Sequence, residues 1–325
     1  MFLLFCGSVV AVSGSSMKNE GPACIRVDCP LCGALDFSLR YPASRGARET
    51  MTEKHFRCTS TYLSRHGDIV QCNRCHLLFS NPQLDPNQVL EIYRAVEDPL
   101  YQEEAAAREQ TFARSLYQLQ KLTVPPGKLL DVGCYTGVFM KLAAAKGWTV
   151  TGVELSVWAA AIARQAGYGP VHSLTLEAAG LELASFDVIT LWDVIEHLSH
   201  PAAMLKHVHG LLKPGGIVAI STHLVDSFAA RLLGSRYPFF MDMHLVHFSR
   251  PTLNRMLSEC GFEVLTYRRH FRVLRLGYFL DKLEKRARSR GLKKSSRWLS
   301  GREFLRKRFV VIAFLGLTNV FARKI

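Results

Sequence analysis

The sequence predicts an α/β fold built on a doubly wound, mostly parallel sheet. The first observation is LLDVGCYTG at residues 129–137, where an apolar strand ends in an acid and two glycines four residues apart. The second is the helix predicted over residues 138–146, which Gly147 ends. The third is the repetition of the pattern, with strands at 148–153, 186–191 and 217–222 and helices at 157–165 and 202–212. Ligands bind outside the carboxyl ends of such strands.

The glycine spacing favours S-adenosylmethionine (SAM) over a dinucleotide. A dinucleotide site needs G-x-G-x-x-G to seat a pyrophosphate on the helix N-terminus, and the run from Gly133 to Gly137 does not fit that pattern. Asp131 suits a ligand with an ammonium group, and Glu154 ends the next strand, where it can accept hydrogen bonds from ribose hydroxyls. The predicted SAM-binding residues are Asp131, Gly133, Cys134, Tyr135, Gly137, Glu154, Leu155 and Trp192.

Two C-x-x-C knuckles, Cys29 with Cys32 and Cys72 with Cys75, predict a zinc ribbon. Four thiolates fill a tetrahedral shell and leave no position for a catalytic water, so the predicted Zn²⁺ is structural. The 39 residues between Cys32 and Cys72 predict a long excursion from the ribbon. Cys24 and Cys58 are spare thiols or alternative ligands. A thioredoxin-like redox motif is the rival, but it needs one C-x-x-C beside a βαβ pattern.

Basic residues concentrate near the C-terminus. Residues 268–308 hold sixteen Lys or Arg and three acids, a balance of +13 out of +14 for the chain. Apolar residues recur among the charges at helical spacing, which predicts a basic helical insertion before the last strand. It can be a solvated face over the sheet edge, a contact with an anionic membrane or lipid-linked substrate, or an RNA contact.

Five segments resemble the class I SAM-dependent methyltransferases, in particular the subgroup that includes the ubiquinone-biosynthesis O-methyltransferases. They are LLDVGCYTG, VELS, FDVITLWDVIEHL, LLKPGGIVAIST and HLVHFSRPTLNRMLSECGFEV, within residues 124–270. The resemblance implies a Rossmann-like sheet of seven strands with an antiparallel last strand. Tyr135 stands where the family usually has glycine. Asn81, Pro82 and Tyr93 after the second knuckle are similar to zinc-ribbon methyltransferases of bacterial surface-glycan and natural-product pathways, a match of architecture that does not fix a substrate.

Methyl transfer is an in-line displacement in which the enzyme aligns the acceptor and removes its proton. The base should lie near the tips of the strands at 186–191 and 217–222, so His197, His244 and His247 are the catalytic candidates and His223 is a weaker one. If the segment after residue 192 is helical, Asp193, Glu196 and His197 share a face. The resemblance implies a divalent-metal site at that group, with Mg²⁺ as the ion.

The predicted organisation is an over-extended N-terminus at 1–16 with Met17 as the start, a zinc ribbon at 17–84, a helical connector at 85–123 and a methyltransferase domain at 124–325 with the basic insertion at 271–316. The leading function is methyl transfer to oxygen of a small-molecule, glycan or lipid-linked acceptor. An RNA methyltransferase is the alternative, less favoured because the ribbon is not strongly basic, and a non-catalytic SAM-binding scaffold is the third. The expected location is cytoplasmic, with peripheral membrane contact as an option. The oligomeric state is not indicated.

Overall fold

The first third of the chain forms short strands followed by three helices. The structure is a computed structural model that describes residues 24–44, 51–286, 307–313 and 316–325. In this third the strands are β1 (Cys24–Ile25), β2 (Phe37–Tyr41), β3 (Ile69–Cys72), β4 (Leu78–Ser80) and β5 (Gln83–Leu84). The helices are α1 (Pro86–Arg94), α2 (Pro99–Glu103) and α3 (Ala105–Leu119), with a 3-10 turn at Glu53–Phe56. The predicted helical connector at 85–123 thus contains three helices, and Pro99 begins the second of them.

From residue 127 onward, strands and helices alternate. The strands are β6 (Gly127–Val132), β7 (Trp148–Val153), β8 (Val171–His172), β9 (Phe186–Trp192), β10 (Leu212–His223), β11 (Val246–His247), β12 (Phe262–Arg269), β13 (Arg272–Arg275), β14 (Phe309–Ile312) and β15 (Leu317–Lys324). The helices are α4 (Val138–Ala144), α5 (Val157–Ala166), α6 (Pro201–Leu211), α7 (Phe228–Leu233), α8 (Arg250–Glu259) and α9 (Leu276–Arg286).

Seven of these strands form the central sheet, in the order β12-β15-β10-β9-β6-β7-β8. The pairs β10–β9, β9–β6, β6–β7 and β7–β8 are parallel, whereas β15 is antiparallel to both of its neighbours. Buried apolar residues such as Leu129, Leu130 and Ile189 fill the centre of this sheet. Burial of each such side chain contributes ~1.5–3 kcal/mol. The predicted doubly wound fold with an antiparallel last strand is confirmed.

The segment predicted to be a zinc ribbon contributes to a second sheet that reaches into the later part of the chain. Its order is β11-β4-β3-β2, and β11 pairs with β4 through Val246 to Phe79 and His247 to Leu78. The small pair β1–β5 lies beside it. Strand pairing therefore joins the segment predicted as a separate ribbon domain to residues just before α8.

The described residues of the basic insertion include strands as well as a helix. They open with β13, which pairs with β14 from Arg272 to Ile312 through Arg275 to Phe309, and α9 follows the predicted helical pattern. Val273, Val310 and Val311 are β-branched, which favours the strand. Trp298, Leu299, Phe304 and Leu305, predicted as part of this insertion, lie outside the described residues. Among the described helices, none has both the length and the apolar character needed to cross a bilayer.

The predicted turn at residues 213–216 is not separate from the strand that follows it. β10 runs through these residues, but its pairing with β9 is irregular between Leu212 and Ile217. Gly215 lies within this irregularity with φ +74°. The turn chemistry of Lys213-Pro-Gly-Gly thus produces a bulge in the first part of β10.

Candidate active site

The loop after β6 turns sharply at the carboxyl edge of the sheet. Gly133, Tyr135 and Gly137 all have left-handed backbones, with φ of 71°, 49° and 78°. The Gly133 amide donates to the Val153 carbonyl oxygen at 2.8 Å, which ties the loop to the end of β7. This turn brings backbone and glycines to the edge where a ligand of such a sheet binds.

Two buried acids lie at the tips of β6 and β7. Asp131 accepts a hydrogen bond from Thr190 Oγ1 at 2.6 Å, and burial raises the pKa of its carboxyl to about 7. Glu154 accepts from the backbone amides of Tyr135 at 2.9 Å and Ser156 at 2.7 Å, and burial raises its pKa as well. These amides hold the Glu154 carboxylate against the loop while leaving it lone pairs for a further donor.

Tyr135 occupies the loop position where a glycine was expected. Its ring lies edge-on to Tyr101 of α2, with ring centres 4.4 Å apart, and 6.1 Å from the ring of Trp158. The Tyr101 ring in turn lies under the guanidinium of Arg108 in α3. The connector therefore packs through aromatic contacts on residues 133–137, which we call the cofactor loop after its predicted role. No local pattern in the sequence indicated this packing.

Cys134 and Trp192, predicted to bind SAM, lie in the core beneath the loop. Both are buried in one cluster with Phe139, whose ring centre is 5.2 Å from that of Trp192. A Cβ added at Gly152 would lie 2.7 Å from Cys134 Sγ, which shows how closely that thiol packs on β7. These two side chains support the loop from below.

A Gly133→Ala variant is expected to lose ~2–4 kcal/mol of folding stability. The new Cβ would lie 2.8 Å from Val194 Cγ2 on a backbone with φ +71°. Denaturant unfolding measures this loss. Gly180→Ala is the matched control, because its φ is +60° but no atom lies within 4 Å of its Cβ. It should cost only ~1 kcal/mol, and equal losses in the two variants would show that the contact with Val194 is unimportant.

His197 lies on the 3-10 turn Ile195–His197 that follows β9. Its Nδ1 is 2.9 Å from the Met243 carbonyl oxygen and 2.9 Å from the hydroxyl of Tyr93. Since a carbonyl only accepts, Nδ1 carries the proton in the bond to Met243, and Nε2 is left with its lone pair. Burial lowers the pKa of His197, so its ring is neutral near pH 7.

The other predicted histidines join His197 in one buried cluster. His244 donates from Nδ1 to the Phe239 carbonyl oxygen at 2.7 Å, and its ring stacks on that of His223 with centres 4.9 Å apart. His223 Nε2 is 3.1 Å from Nδ1 of His247, which is 0% exposed. Burial holds the pKa values of His244 and His247 well below the ordinary value. His223, the weaker candidate, is thus central to the cluster.

Asp193 is held away from the helical face predicted for it. Its φ is 54°, it accepts from Ser221 Oγ at 2.7 Å, and it pairs with the guanidinium of Arg272. Although burial raises its pKa, Arg272 outweighs burial and holds the pKa of Asp193 below its usual range. In this region, the side chains that could jointly hold a metal ion are Glu196, His197 and His244. Their potential ligand atoms all lie within 4.8 Å of one another. Two imidazoles suit Mg²⁺ poorly, because that ion prefers oxygen ligands.

The four cysteines of the two knuckles converge on one point. Their Sγ atoms all lie within 4.8 Å of one another, with Cys29 to Cys75 at 3.4 Å and Cys32 to Cys72 at 3.5 Å. The two knuckles have the same turn: the amides of Gly33 and His76 donate to the carbonyl oxygens of Cys29 and Cys72, each at 2.9 Å. Gly33 and His76 are both left-handed. Neither Cys24 nor Cys58 belongs to this group.

A seven-stranded sheet with an antiparallel last strand and acids at the tips of β6 and β7 defines the class I SAM-dependent methyltransferases. The sequence profile of the family described as a methyltransferase domain matches residues 102–267, and the chain belongs to this family. It is a SAM-dependent methyltransferase. The structure places the cofactor loop and the histidine cluster within the matched residues.

Similar proteins include two ubiquinone biosynthesis O-methyltransferases. The one from Thiobacillus denitrificans is 32% identical over 167 residues, 46% of this chain and 72% of the relative. The one from Pseudomonas aeruginosa is 31% identical over 150 residues, 42% of this chain and 65% of the relative. Among solved structures, the 1,6-didemethyltoxoflavin-N1-methyltransferase of Burkholderia thailandensis is 18% identical with a TM-score of 0.46, covering 78% of this chain and 97% of that one.

Proposed function

We propose that the protein transfers the methyl group of SAM to an oxygen atom of a small-molecule, glycan or lipid-linked acceptor. The similar ubiquinone biosynthesis enzymes are O-methyltransferases by name, which supports oxygen as the acceptor atom. The observation that carries the proposal is the neutral, oriented imidazole of His197 near the tips of β9 and β10. An oxygen acceptor needs such a base, because a hydroxyl must lose its proton as the methyl group arrives.

In this proposal, SAM supplies the activated methyl group and the two buried acids hold it. Asp131 would accept hydrogen bonds from the ammonium group, because Thr190 uses only part of its acceptor capacity. Glu154 would accept from the ribose hydroxyls while the Tyr135 amide fixes its position. The close approach of ligand to backbone would occur at Gly133 and Gly137, with Leu155 at the end of β7.

His197 would act as the base through Nε2. The bond from Nδ1 to the Met243 carbonyl fixes the ring orientation and the tautomer, and the Tyr93 hydroxyl contacts the same nitrogen. His247 is less suited to touch an acceptor, because it is fully buried between His223 and Phe240. It would position His223 and, through ring stacking, His244.

Replacement of His197 by alanine is expected to lower kcat by ~10²–10⁴ while SAM still binds. Because burial lowers the pKa of His197, the rate of the native enzyme should stay level as the pH falls to about 6.5 and decline below that. The assay is transfer of labelled methyl from SAM to a screened set of hydroxylated metabolites. His200→Ala is the control, since His200 is exposed and lies three residues further along the chain. Full turnover by His197→Ala would place proton removal elsewhere.

We also propose a structural Zn²⁺ in the cysteine cluster. Zinc–thiolate bonds of about 2.3 Å in a tetrahedron place neighbouring sulfurs ~3.8 Å apart, and the four Sγ atoms here have a similar spacing. The matching turns of the two knuckles direct both pairs of thiols to one point, where they could share a metal ion. Four protein ligands leave no open position, so the metal would hold the fold and take no part in the methyl transfer.

A further inference from the structure

A group of cations lies beside the cofactor loop, between the connector and the basic insertion. Arg108 comes from the first turn of α3, Arg272 from β13 and Lys282 from α9. The Arg108 guanidinium carbon is 4.8 Å from the centre of the Tyr101 ring, the same ring that contacts the cofactor loop. Lys282 Nζ is 4.7 Å from the centre of the Tyr278 ring. We call Arg108, Arg272 and Lys282 the cation cluster.

The central member of the cation cluster is buried, and part of its guanidinium has no hydrogen-bond partner among the described residues. Arg108 is only 7% exposed, and its Nε has no hydrogen-bond partner among the described residues. The Nε of Arg272 is also buried without a partner in the same part of the chain. Burial of a guanidinium nitrogen without a hydrogen-bond partner costs folding free energy. A ligand that accepts a hydrogen bond from that nitrogen would offset the cost.

The acids near the cation cluster are already engaged. Asp193 pairs with Arg272. Glu104 accepts from the Arg275 amide at 3.1 Å and lies 3.8 Å from the side chain of that arginine. Asp98 accepts from the amide of Thr59 at 2.9 Å and from its hydroxyl at 2.5 Å. Asp193 and Glu104 thus form salt bridges with Arg272 and Arg275 rather than with Arg108.

An exposed side chain lies near the cation cluster. Cys58 is exposed, and Arg108 is close enough for its positive charge to favour the Cys58 thiolate and so to lower the pKa of that thiol. Burial, together with the charges of Arg108 and Arg272, lowers the pKa of Lys282 to about 7, so these three cations also lie close to one another.

We infer that the cation cluster binds an oxyanion group of the methyl acceptor, either a phosphate or a carboxylate. This inference rests on the proposed function, because it assigns the acceptor of the same site. The planar fork of Arg108 can donate two parallel hydrogen bonds to such a group, and the Lys282 amine can donate another. Asp193 keeps Arg272 in place at the tip of β9. The acceptor is accordingly an acid or a phosphate ester, not a neutral sugar or an uncharged lipid.

Calorimetry with pyrophosphate and with benzoate tests this inference. Each anion is titrated into the full chain with and without S-adenosylhomocysteine (SAH), and SAH is titrated alone. Native protein should bind at least one of the anions, and Arg108→Gln and Lys282→Met should each weaken that binding ~10-fold or more. SAH affinity should be unchanged in both variants. Arg255→Gln and Lys121→Met, which remove exposed cations elsewhere, should bind the anion as the native chain does.

The outcomes separate the alternatives. Preference for pyrophosphate indicates a phosphate-bearing acceptor, and preference for benzoate indicates a carboxylate. The inference is overturned if the native protein binds neither anion. It is also overturned if Arg108→Gln loses as much affinity for SAH as for the anion, because Arg108 would then hold the carboxylate of the cofactor. If the native protein binds the anion through Arg108 but does not bind SAH, the proposed function fails and the anion site stands. Arg108→Lys keeps the positive charge and should retain part of the anion binding. It therefore serves as a second variant if Arg108→Gln does not fold.

Discussion

Replacement of Asp131 by asparagine is expected to weaken SAM binding ~10- to 100-fold and to make the free protein more stable above pH 7. The binding loss follows because asparagine keeps the shape and can still accept from Thr190 Oγ1, but no longer offers a charge to an ammonium group. The stability gain follows because Asp131 is only 2% exposed and its carboxylate is costly to bury. Calorimetry with SAH and denaturant unfolding at several pH values measure the two effects.

The direction of the pH dependence follows from the raised pKa of Asp131. Its pKa is about 7 in the folded protein and 3.8 ordinarily, so between these values the folded state binds more protons than the unfolded state. Stability therefore falls as the pH rises through this window, by at most a few kcal/mol, and the asparagine variant should lack this contribution. Binding should show the reverse trend, since the cofactor's ammonium prefers the ionised carboxylate. Glu177→Gln, at an exposed carboxyl, is the control. Unchanged SAH affinity in Asp131→Asn would remove Asp131 from the cofactor site.

Replacement of Cys72 by serine is expected to prevent binding of the proposed zinc ion and to lower the melting temperature by ~10 °C or more. The reason is that Cys72 ends β3 and belongs to the cluster of four thiols, so its loss leaves three ligands and weakens the β3–β4 pairing. Metal analysis of purified protein and calorimetric melting provide the measurements. Cys24→Ser is the matched control, because Cys24 is exposed and lies outside the cluster.

The same variant tests whether the ribbon supports the histidine cluster. Because β11 pairs with β4 and contains His247, loss of the metal should also lower methyl transfer even though no cysteine ligand needs to touch the acceptor. A Cys72→Ser protein with full zinc content, or one that melts like the native chain, would contradict the structural role. Loss of zinc with full activity would show that the ribbon and the active site are independent.

The sequence identified the elements that depend on local patterns. β6, β7 and β9 are apolar runs that end at an acid, a glycine or a turn, and they were predicted because buried parallel strands have a strong local signature. The paired cysteines were also predicted from a local pattern, because the C-x-x-C spacing corresponds to one type of turn. The loop glycines and Glu154 also follow from local rules.

Features that depend on pairing between distant parts of the chain were not predicted from the sequence. β11 has two residues and gains its structure from β4, more than 160 positions earlier in the chain. β13 and β14 form a ribbon across an intervening helix, so neither strand has a turn beside it to predict the pairing. In the sequence, Arg108 and Tyr101 have the pattern of ordinary helical residues. Their burial near Tyr135 and the insertion is apparent only in the folded chain.

Strand β11 also limits how this enzyme can be divided or recombined. A fragment starting at residue 85 would retain β11 but lose β4, so the backbone groups of residues 246–247 would lose the ladder that satisfies them, and a newly exposed edge would be available to other chains. Exchange of cysteine-rich modules between related enzymes should therefore succeed only when the segment carrying β11 is transferred with them.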